Sequence, residues 1–498
     1  MNVNPITRLD YPDPDVIRVE DTYYMVSTTM HFMPGCEILQ SFDLVHWEHV
    51  TYVYETLDHT DAQQLKSGQN IYGQGMWAAS LRYHEGRFCI CFVANDTRKT
   101  YLYTSEKIDG PWKKQLIEGF YHDGSLLFDE DGRNYIVYGN DEIWITELNE
   151  DLTAPKKDGL HRLLVSDHKN PELGYEGSHI QKINGYYYIF LIHSLRDCWM
   201  RTEACFYSDS LEGEFTGGDV LCDDRGYCGQ GVAQGGIVDT PDGKWYAMLF
   251  QDSGAVGRIP ILLPVTWKDH FPVFGQNGHV PEEIEVHSTR PGYIYQPLVG
   301  SDDFCNGLLP RWQFNHDPDP RYYHLDALQG TYTITTREVC TELTQAVNTL
   351  TQRMSYPSCA AEVTVDASAL KEGDVAGLCA LQSCYAAVGI TKHHGKYEVL
   401  MLDKKEDGIL DMTEGTVVES HQMDFRLEAD FCNMKDEARC YYRVNKGDWL
   451  PIGTVHKLYF KLDHFTGCRF GLFCYAAEET GGSACFRDFK YYDVDEIS

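Results

Sequence analysis

The sequence predicts an all-β protein, a five-bladed β-propeller followed by a β-sandwich. Three observations carry this. One hairpin pattern recurs five times within residues 1–295, helical periodicity is scarce across the same stretch, and from Ser301 onward apolar and polar residues alternate between Gly and Asp turns.

The recurring pattern is a short apolar strand, a tight polar turn and an aromatic strand. It reads DVIRVEDTYYMV, SLRYHEGRFCICF, SLLFDEDGRNYIVY, SHIQKINGYYYIFLI and GIVDTPDGKWYAML, with the turns at Asp21, Gly86, Gly132, Gly185 and Gly243. Gly and Asp supply the unusual dihedrals that two-residue hairpin loops need. The spacing of roughly fifty to sixty residues suits a four-stranded propeller blade. The outer strands leave a weaker trace, since SFDLVHWEHV and TSEKIDGPWKKQ place Trp47 and Trp112 alike. A generic β-sandwich is the rival reading, but it does not account for five hairpins in register.

The second region, residues 301–498, contains CAAEVTVDAS, YAAVGITKHHGKYEVLML and RFGLFCYAAEETGGSACFRDFKYYDVD. Such alternation predicts an antiparallel sandwich with one face of each sheet buried. GYIYQPLVGSDDF is the expected linker.

Composition narrows the function classes. The 498 residues carry 42 Lys plus Arg against 75 Asp plus Glu, a net charge of −33. Phosphate backbones and anionic bilayers repel such a surface, so neither nucleic acid nor membrane is an expected partner. A neutral substrate does not feel the charge. Aromatics reach 13%, with 33 Tyr, and ring faces of this kind suit β-structure and carbohydrate stacking. The 17 cysteines show no zinc spacing, and Cys89 and Cys91 simply alternate along a strand. An odd cysteine count and an opening MNVNPITRLD without a basic and apolar leader predict reduced thiols and a cytoplasmic location. No apolar run is long enough to cross a membrane as a helix.

Aligning the hairpins exposes a ring of equivalent positions. The residues that open the inner strands are Asp15, Ser80, Ser125, Ser178 and Gly236, and two residues earlier lie Asp13, Ala78, Asp123, Glu176 and Gln234. Inner strands line a propeller's channel, so three carboxylates, Asp13, Asp123 and Glu176, are expected to converge there. Like charges in a partly desolvated pocket push at least one pKa upward, which gives a site an acid and a base together. Two such carboxylates suit glycoside hydrolysis, one protonating the leaving oxygen and one activating water, at roughly 6.5–9.5 Å if the anomeric centre is inverted. A third can orient the proton donor. The bland rival is a set of solvated strand-start acids, and metal sites also gather carboxylates.

Other constellations are weak. His179 could ligate a metal, but no HExxH or HxH accompanies it. No GxSxG elbow is present, and GQGVAQGG (229–236) lacks the context of a phosphate loop.

The stretches YPDPDVIRVEDTYYMVSTTMHFMPGCEILQSFDLVHWE, GMWAASLRYHEGRF, YHDGSLLFDEDGR, YEGSHIQKINGYYYIF and IVDTPDGKWYAMLFQDSGAVGRIPILLPVTW resemble glycoside hydrolase family 43. SDDF, RWQFNHDPD, QAVNTLTQR and DVAGLCALQ resemble the C-terminal concanavalin-like jelly roll of its β-xylosidase and α-L-arabinofuranosidase branch. The resemblance implies that Asp13 of PDPD is the general base, Glu176 of YEGSH the general acid, and Asp123 of HDGS the residue that tunes and orients that acid. The family usually has DPS where this chain has Asp123-Gly124-Ser125. It also implies a sugar-binding role for Arg258 of GAVGRIP and an aromatic platform at Trp77. Phe32 and His31 fall where the family lines its pocket. Gln234 stands where many relatives have a histidine, which in some helps hold an ion, and His179 joins the substrate-binding set.

The resemblance thus implies an inverting exo-glycosidase, its pocket closed on one side by a sandwich loop, that acts on arabino- and xylo-oligosaccharides and releases terminal α-L-arabinofuranosyl residues. A β-D-xylosidase or a bifunctional enzyme is the alternative within the class, and a non-catalytic carbohydrate-binding propeller the alternative outside it. No cofactor is required and no catalytic metal is expected. A structural calcium stays open, as does assembly into a homo-oligomer.

Overall fold

The computed structural model describes residues 2–413 and 415–493. They contain no α-helix, only short 3-10 turns, and so no helix long and apolar enough to cross a membrane. Five four-stranded antiparallel sheets follow one another along the chain. Their inner strands are Asp15–Val19, Met76–His84, Ser125–Phe128, Glu176–Ile183 and Val232–Asp239. Each inner strand pairs with the next strand in sequence, and the turns expected at residues 21, 86, 132, 185 and 243 join them. Each blade buries its second strand almost completely, as in Arg87–Ala94, where only the first residue is exposed. Apolar side chains from neighbouring blades pack in the layers between sheets, as where Val26 and Ile38 of the first blade meet Leu81, Ile90 and Phe92 of the second.

The hub holds these sheets in one register by side chains that reach from each inner strand to the next. Asp15 accepts from the Leu81 amide (2.7 Å), Ser80 from the Leu126 amide (3.1 Å), and Ser125 from the Ile180 amide (3.0 Å). Gln181 donates to the Ile237 carbonyl (2.7 Å), and Arg18 closes the circle through the Asp239 carbonyl (3.2 Å). Arg82 threads through the middle, donating to Asp15 (2.7 Å), the Leu126 carbonyl (2.8 Å) and Ser125 (2.7 Å). Burial alone would raise the Asp15 pKa, but Arg82 and His179 overcome it and hold the carboxyl below the usual range.

These bonds correct the sequence alignment of the fourth repeat. The donating amide always follows the equivalent inner-strand residue: Leu81 follows Ser80, Leu126 follows Ser125, and Ile180 follows His179. His179, not Ser178, therefore corresponds to Asp15, Ser80 and Ser125. Two residues before it lies Gly177, whose φ of +64° matches the left-handed Asp13 (+52°), Asp123 (+47°) and Gln234 (+61°). Glu176 stands one position earlier, equivalent to Trp77 and His122. The register shift between Glu176 and His179 recurs between Trp77 and Ser80 and between Ala233 and Gly236, so the blades share it. The offset shows instead in the turn count, since His179 stands six residues before Gly185, as Asp15 and Ser80 do before Asp21 and Gly86, and Ser178 seven.

The sandwich packs a sheet built around Leu350–Arg353, Arg469–Ala476, Asp374–Leu381, Ala386–His393 and Lys396–Lys404 against a seven-stranded sheet centred on Ser358–Asp366 and Ser483–Asp493. Alternation does what the sequence implies: Cys359, Ala361, Val363 and Val365 enter the core between the sheets, while Thr364 stays outside it. The propeller contributes an edge strand to this sandwich, since Phe32–Met33 pairs with Gln313–Asn315. Buried Glu37 and Arg353 form an ion pair across the same junction at 2.8 Å. The stretch expected to be a linker straps the first blade, with Tyr293 packed on Phe42 at 4.6 Å and the Tyr295 hydroxyl accepting from the Phe42 amide at 2.8 Å.

Replacing Arg82 with methionine would leave Asp15 buried without its main counter-charge. The expected cost is ~3 kcal/mol, seen as a lower urea midpoint by tryptophan fluorescence, whereas Arg133→Met on an exposed turn should leave the midpoint unchanged.

Candidate active site

The site lies where the inner strands begin. The left-handed conformation at Asp13 and Asp123 turns the chain into each strand, and Asp tolerates it better than most residues. Asp13 is buried. Its Oδ2 accepts from Thr28 Oγ1 at 2.6 Å and its Oδ1 from Arg258 Nη1 at 2.9 Å. Asp123 is equally buried, and its Oδ2 accepts from the Gly177 amide at 3.0 Å, tying it to the residue beside Glu176. Glu176 Oε2 accepts from Asn140 Nδ2 at 2.6 Å. His122 stands between the last two, with Nε2 3.6 Å from Asp123 Oδ2 and 3.6 Å from Glu176 Oε2.

The three acids lie close enough to act on one another and on His122. Burial pushes the Asp123 pKa up to about 6. His122 opposes the rise, while the charges of Glu176 and Asp13 add to it. His122 is pushed up to about 9, chiefly by Asp123, against its own desolvation and with help from Glu176 and Asp13. The cation is thus held by the same three carboxylates that it neutralises.

Arg258 is buried, not a surface cation. Its amide donates to Asp10 Oδ1 at 2.8 Å, and its guanidinium lies over Phe465 at 4.2 Å and Phe250 at 5.3 Å. Its Nε and Nη2 have no protein partner, which leaves donors for a ligand. Trp77 faces His122 at 6.1 Å and Phe465 at 5.3 Å, also with an unpaired indole nitrogen. Phe465 comes from the sandwich, on a loop held to the propeller by Asp10 Oδ2 accepting from the Gly467 amide at 2.8 Å. The pocket wall is therefore built from both parts of the chain. Gln234 donates its amide to Glu203 at 2.7 Å, and its side chain occupies the space where a Cβ on Gly177 would fall.

Three expected pocket residues sit elsewhere. Phe32 is 2% exposed and packs with Tyr385, Leu402 and Phe473 in the sandwich, with Arg469 over its ring at 3.5 Å. Its ring is enclosed by sandwich side chains and the Arg469 guanidinium, away from the three acids, so the place that the resemblance gives it in the pocket is filled otherwise. His31 is fully buried among Phe32, Tyr72 and His316, and desolvation holds its pKa well below the ordinary value. His179 belongs to the hub, with Nδ1 3.2 Å from Asp15 Oδ1. Sequence reasoning missed His122, Asn140, Thr28 and Phe465. Only His122 left a signal, since the corrected alignment sets it level with Glu176.

Because Asp123 is the main cause of the raised His122 pKa, Asp123→Asn should return the imidazole toward its ordinary 6.5. The stability His122 contributes is complete below pH 6.5 and is lost as pH rises through about 9. Ring-carbon resonances of ¹³C-histidine-labelled protein should show this titration. A midpoint near 6.5 in the unsubstituted protein would contradict the ion cluster.

Comparison with known proteins agrees with this architecture. Residues 3–272 match the pattern of glycosyl hydrolases family 43, and residues 301–492 match the β-xylosidase C-terminal concanavalin A-like domain. The chain is 26% identical to a β-xylosidase of Formosa agariphila over 99% of its length and 89% of that protein. It is 23% identical to a xylosidase/arabinosidase of Butyrivibrio fibrisolvens, covering 99% of both. Among solved structures, a bifunctional GH43-CE protein of Bacteroides eggerthii superposes with a TM-score of 0.93 at 42% identity, and the chain spans all of its own length but 64% of that protein. A five-bladed hub that gathers three acids, a sandwich that completes the pocket and these two pattern matches have one conclusion: the chain belongs to glycoside hydrolase family 43.

Proposed function

We propose that the protein is an inverting exo-glycosidase that removes terminal α-L-arabinofuranosyl residues from arabinoxylan-type oligosaccharides. The observation that carries this reading is the placement of Asp13 and Glu176 in one pocket with different partners. Asp13 accepts two hydrogen bonds, one from Arg258, and is suited to take a proton from water as general base. Glu176 is fixed through one oxygen by Asn140, which leaves Oε1 without a protein partner and open to carry the proton that the leaving oxygen needs. Asp123 orients the acid through the Gly177 amide. Water attacks the anomeric carbon as the glycosidic bond breaks; Asp13 takes the water's proton and Glu176 supplies one to the departing oxygen.

Phe465 and Trp77 against Arg258 make a closed wall, which favours a chain end over an internal unit. Release of β-D-xylosyl residues, alone or alongside arabinofuranose, is the second reading, favoured by relatives named β-xylosidase and xylosidase/arabinosidase. No metal enters the scheme. Among the described residues, the ligand atoms that gather within 4.8 Å of one another are those of His122, Asp123 and Glu176, so a cation there would displace the proton donor's own proton.

Glu176→Ala should cut turnover of an unactivated arabinoxylan oligosaccharide by ~10³-fold and of a nitrophenyl glycoside far less, because nitrophenolate needs little protonation. Equal losses on both would remove Glu176 as acid. Asp13→Asn should abolish both activities. Early-time NMR of the product should show the inverted anomer, and retention would refute the water-attack scheme. Parallel assays on nitrophenyl α-L-arabinofuranoside and β-D-xyloside decide the sugar, and a chelator should leave both rates unchanged.

A further inference from the structure

We propose that Trp199 is a stacking platform for the sugar unit on the leaving-group side of the scissile bond. This rests on the reading of Glu176 as proton donor.

Of the nine tryptophans, Trp199 alone is exposed, at 45%. An open indole on a soluble protein is worth explaining, since water is a poor partner for its apolar face. Topology places it on the catalytic face. Glu176 opens the fourth inner strand and pairs with Ile192 near the end of Tyr186–Ser194, so the loop 195–200 emerges beside Glu176. The loop is also bonded to the segment that leads into Glu176. The Ser194 amide donates to the Leu173 carbonyl at 2.9 Å, Asn170 Nδ2 donates to the Ser194 carbonyl at 2.8 Å, and Arg196 pairs with Asp167. A proton donor faces the leaving oxygen, so the loop beside it borders the next sugar.

The loop is fixed before any ligand arrives. The Met200 amide donates to Ser194 Oγ at 2.8 Å, and Ser194 Oγ donates to the Cys198 carbonyl at 3.2 Å. Arg201 lies over the Trp199 ring at 5.2 Å, is anchored by Asp252, and also lies over Phe250 at 5.4 Å. Phe250 is the same ring that carries Arg258, which holds Asp13. A continuous series of rings and guanidiniums thus runs from the general base to the exposed indole. No second aromatic ring packs on Trp199 among the described residues, which leaves it the apolar surface that a pyranose face needs. A platform already ordered costs little entropy on binding.

The test compares Trp199→Ala and Trp199→Phe with the unsubstituted enzyme on two probes. A pentosyl fluoride has no sugar on the leaving side, and an arabinoxylan-derived trisaccharide has one. For Trp199→Ala, the trisaccharide kcat/KM should fall about tenfold, mainly through KM, while the fluoride rate stays within about twofold. Trp199→Phe should recover most of the loss. An equal fall on both probes would show a structural role and overturn the platform, as would no change on either. If the unsubstituted enzyme is inert to both probes, the hydrolytic reading fails first and takes this inference with it.

Discussion

The circle of hydrogen bonds at the hub is the constraint from which the site follows. A propeller whose blades touch only through apolar layers could let neighbouring inner strands slip along one another. Here Asp15, Ser80, Ser125, Gln181 and Arg18 each reach to the next blade, and Arg82 ties three blades at once. Buried polar groups left unpaired are expensive, so any slip that breaks one of these bonds is resisted. The register they impose puts the strand beginnings at one level. Asp13 and Asp123, two residues ahead of hub residues, and Glu176, three ahead of His179, then come close enough to act on one another.

The propeller does not make the pocket alone. Arg258 lies between a propeller phenylalanine and Phe465 from the sandwich, and Asp10 serves both sides by accepting from the Arg258 amide and the Gly467 amide. The edge strand Phe32–Met33 and the buried Glu37–Arg353 pair make the junction of the two parts as dry and specific as a core. Joining the parts therefore helps to order the guanidinium that pairs with Asp13, and one aspartate serves both the junction and the site.

Much of this was legible because a repeat prints its turn chemistry in sequence. The five hairpins are visible in the turns at Asp21, Gly86, Gly132, Gly185 and Gly243, and Asp13 and Asp123 follow from their alignment. The depth of each strand start is harder to read. Turns of unequal length blur the register, and Ser178 stands seven residues before Gly185 where His179 stands six, so aligning the strand starts sets Glu176 level with Asp13 although it belongs level with His122. Contacts across the junction are hidden for a different reason. Phe32 reads as a pocket aromatic until the sandwich claims its ring, and Phe465 lies far from the acids in sequence, on a loop whose partners no local pattern announces.

The charge balance explains how three acids tolerate one pocket in a chain of net charge −33. Burial works against every ionised carboxyl there, and the surrounding surface adds no positive field. Neutralisation has to be local. Arg258 attends Asp13, and His122 attends Asp123 and Glu176 together. The two arrangements differ in kind. Arg258 makes a hydrogen-bonded pair with a permanently charged group, so Asp13 keeps its counter-ion at any working pH. His122 stands 3.6 Å from two carboxyls without a hydrogen bond to either, and its charge can be lost. The base side of the pocket is thus electrostatically fixed and the acid side adjustable, an asymmetry that suits a reaction in which one carboxyl must start without a proton and the other must start with one.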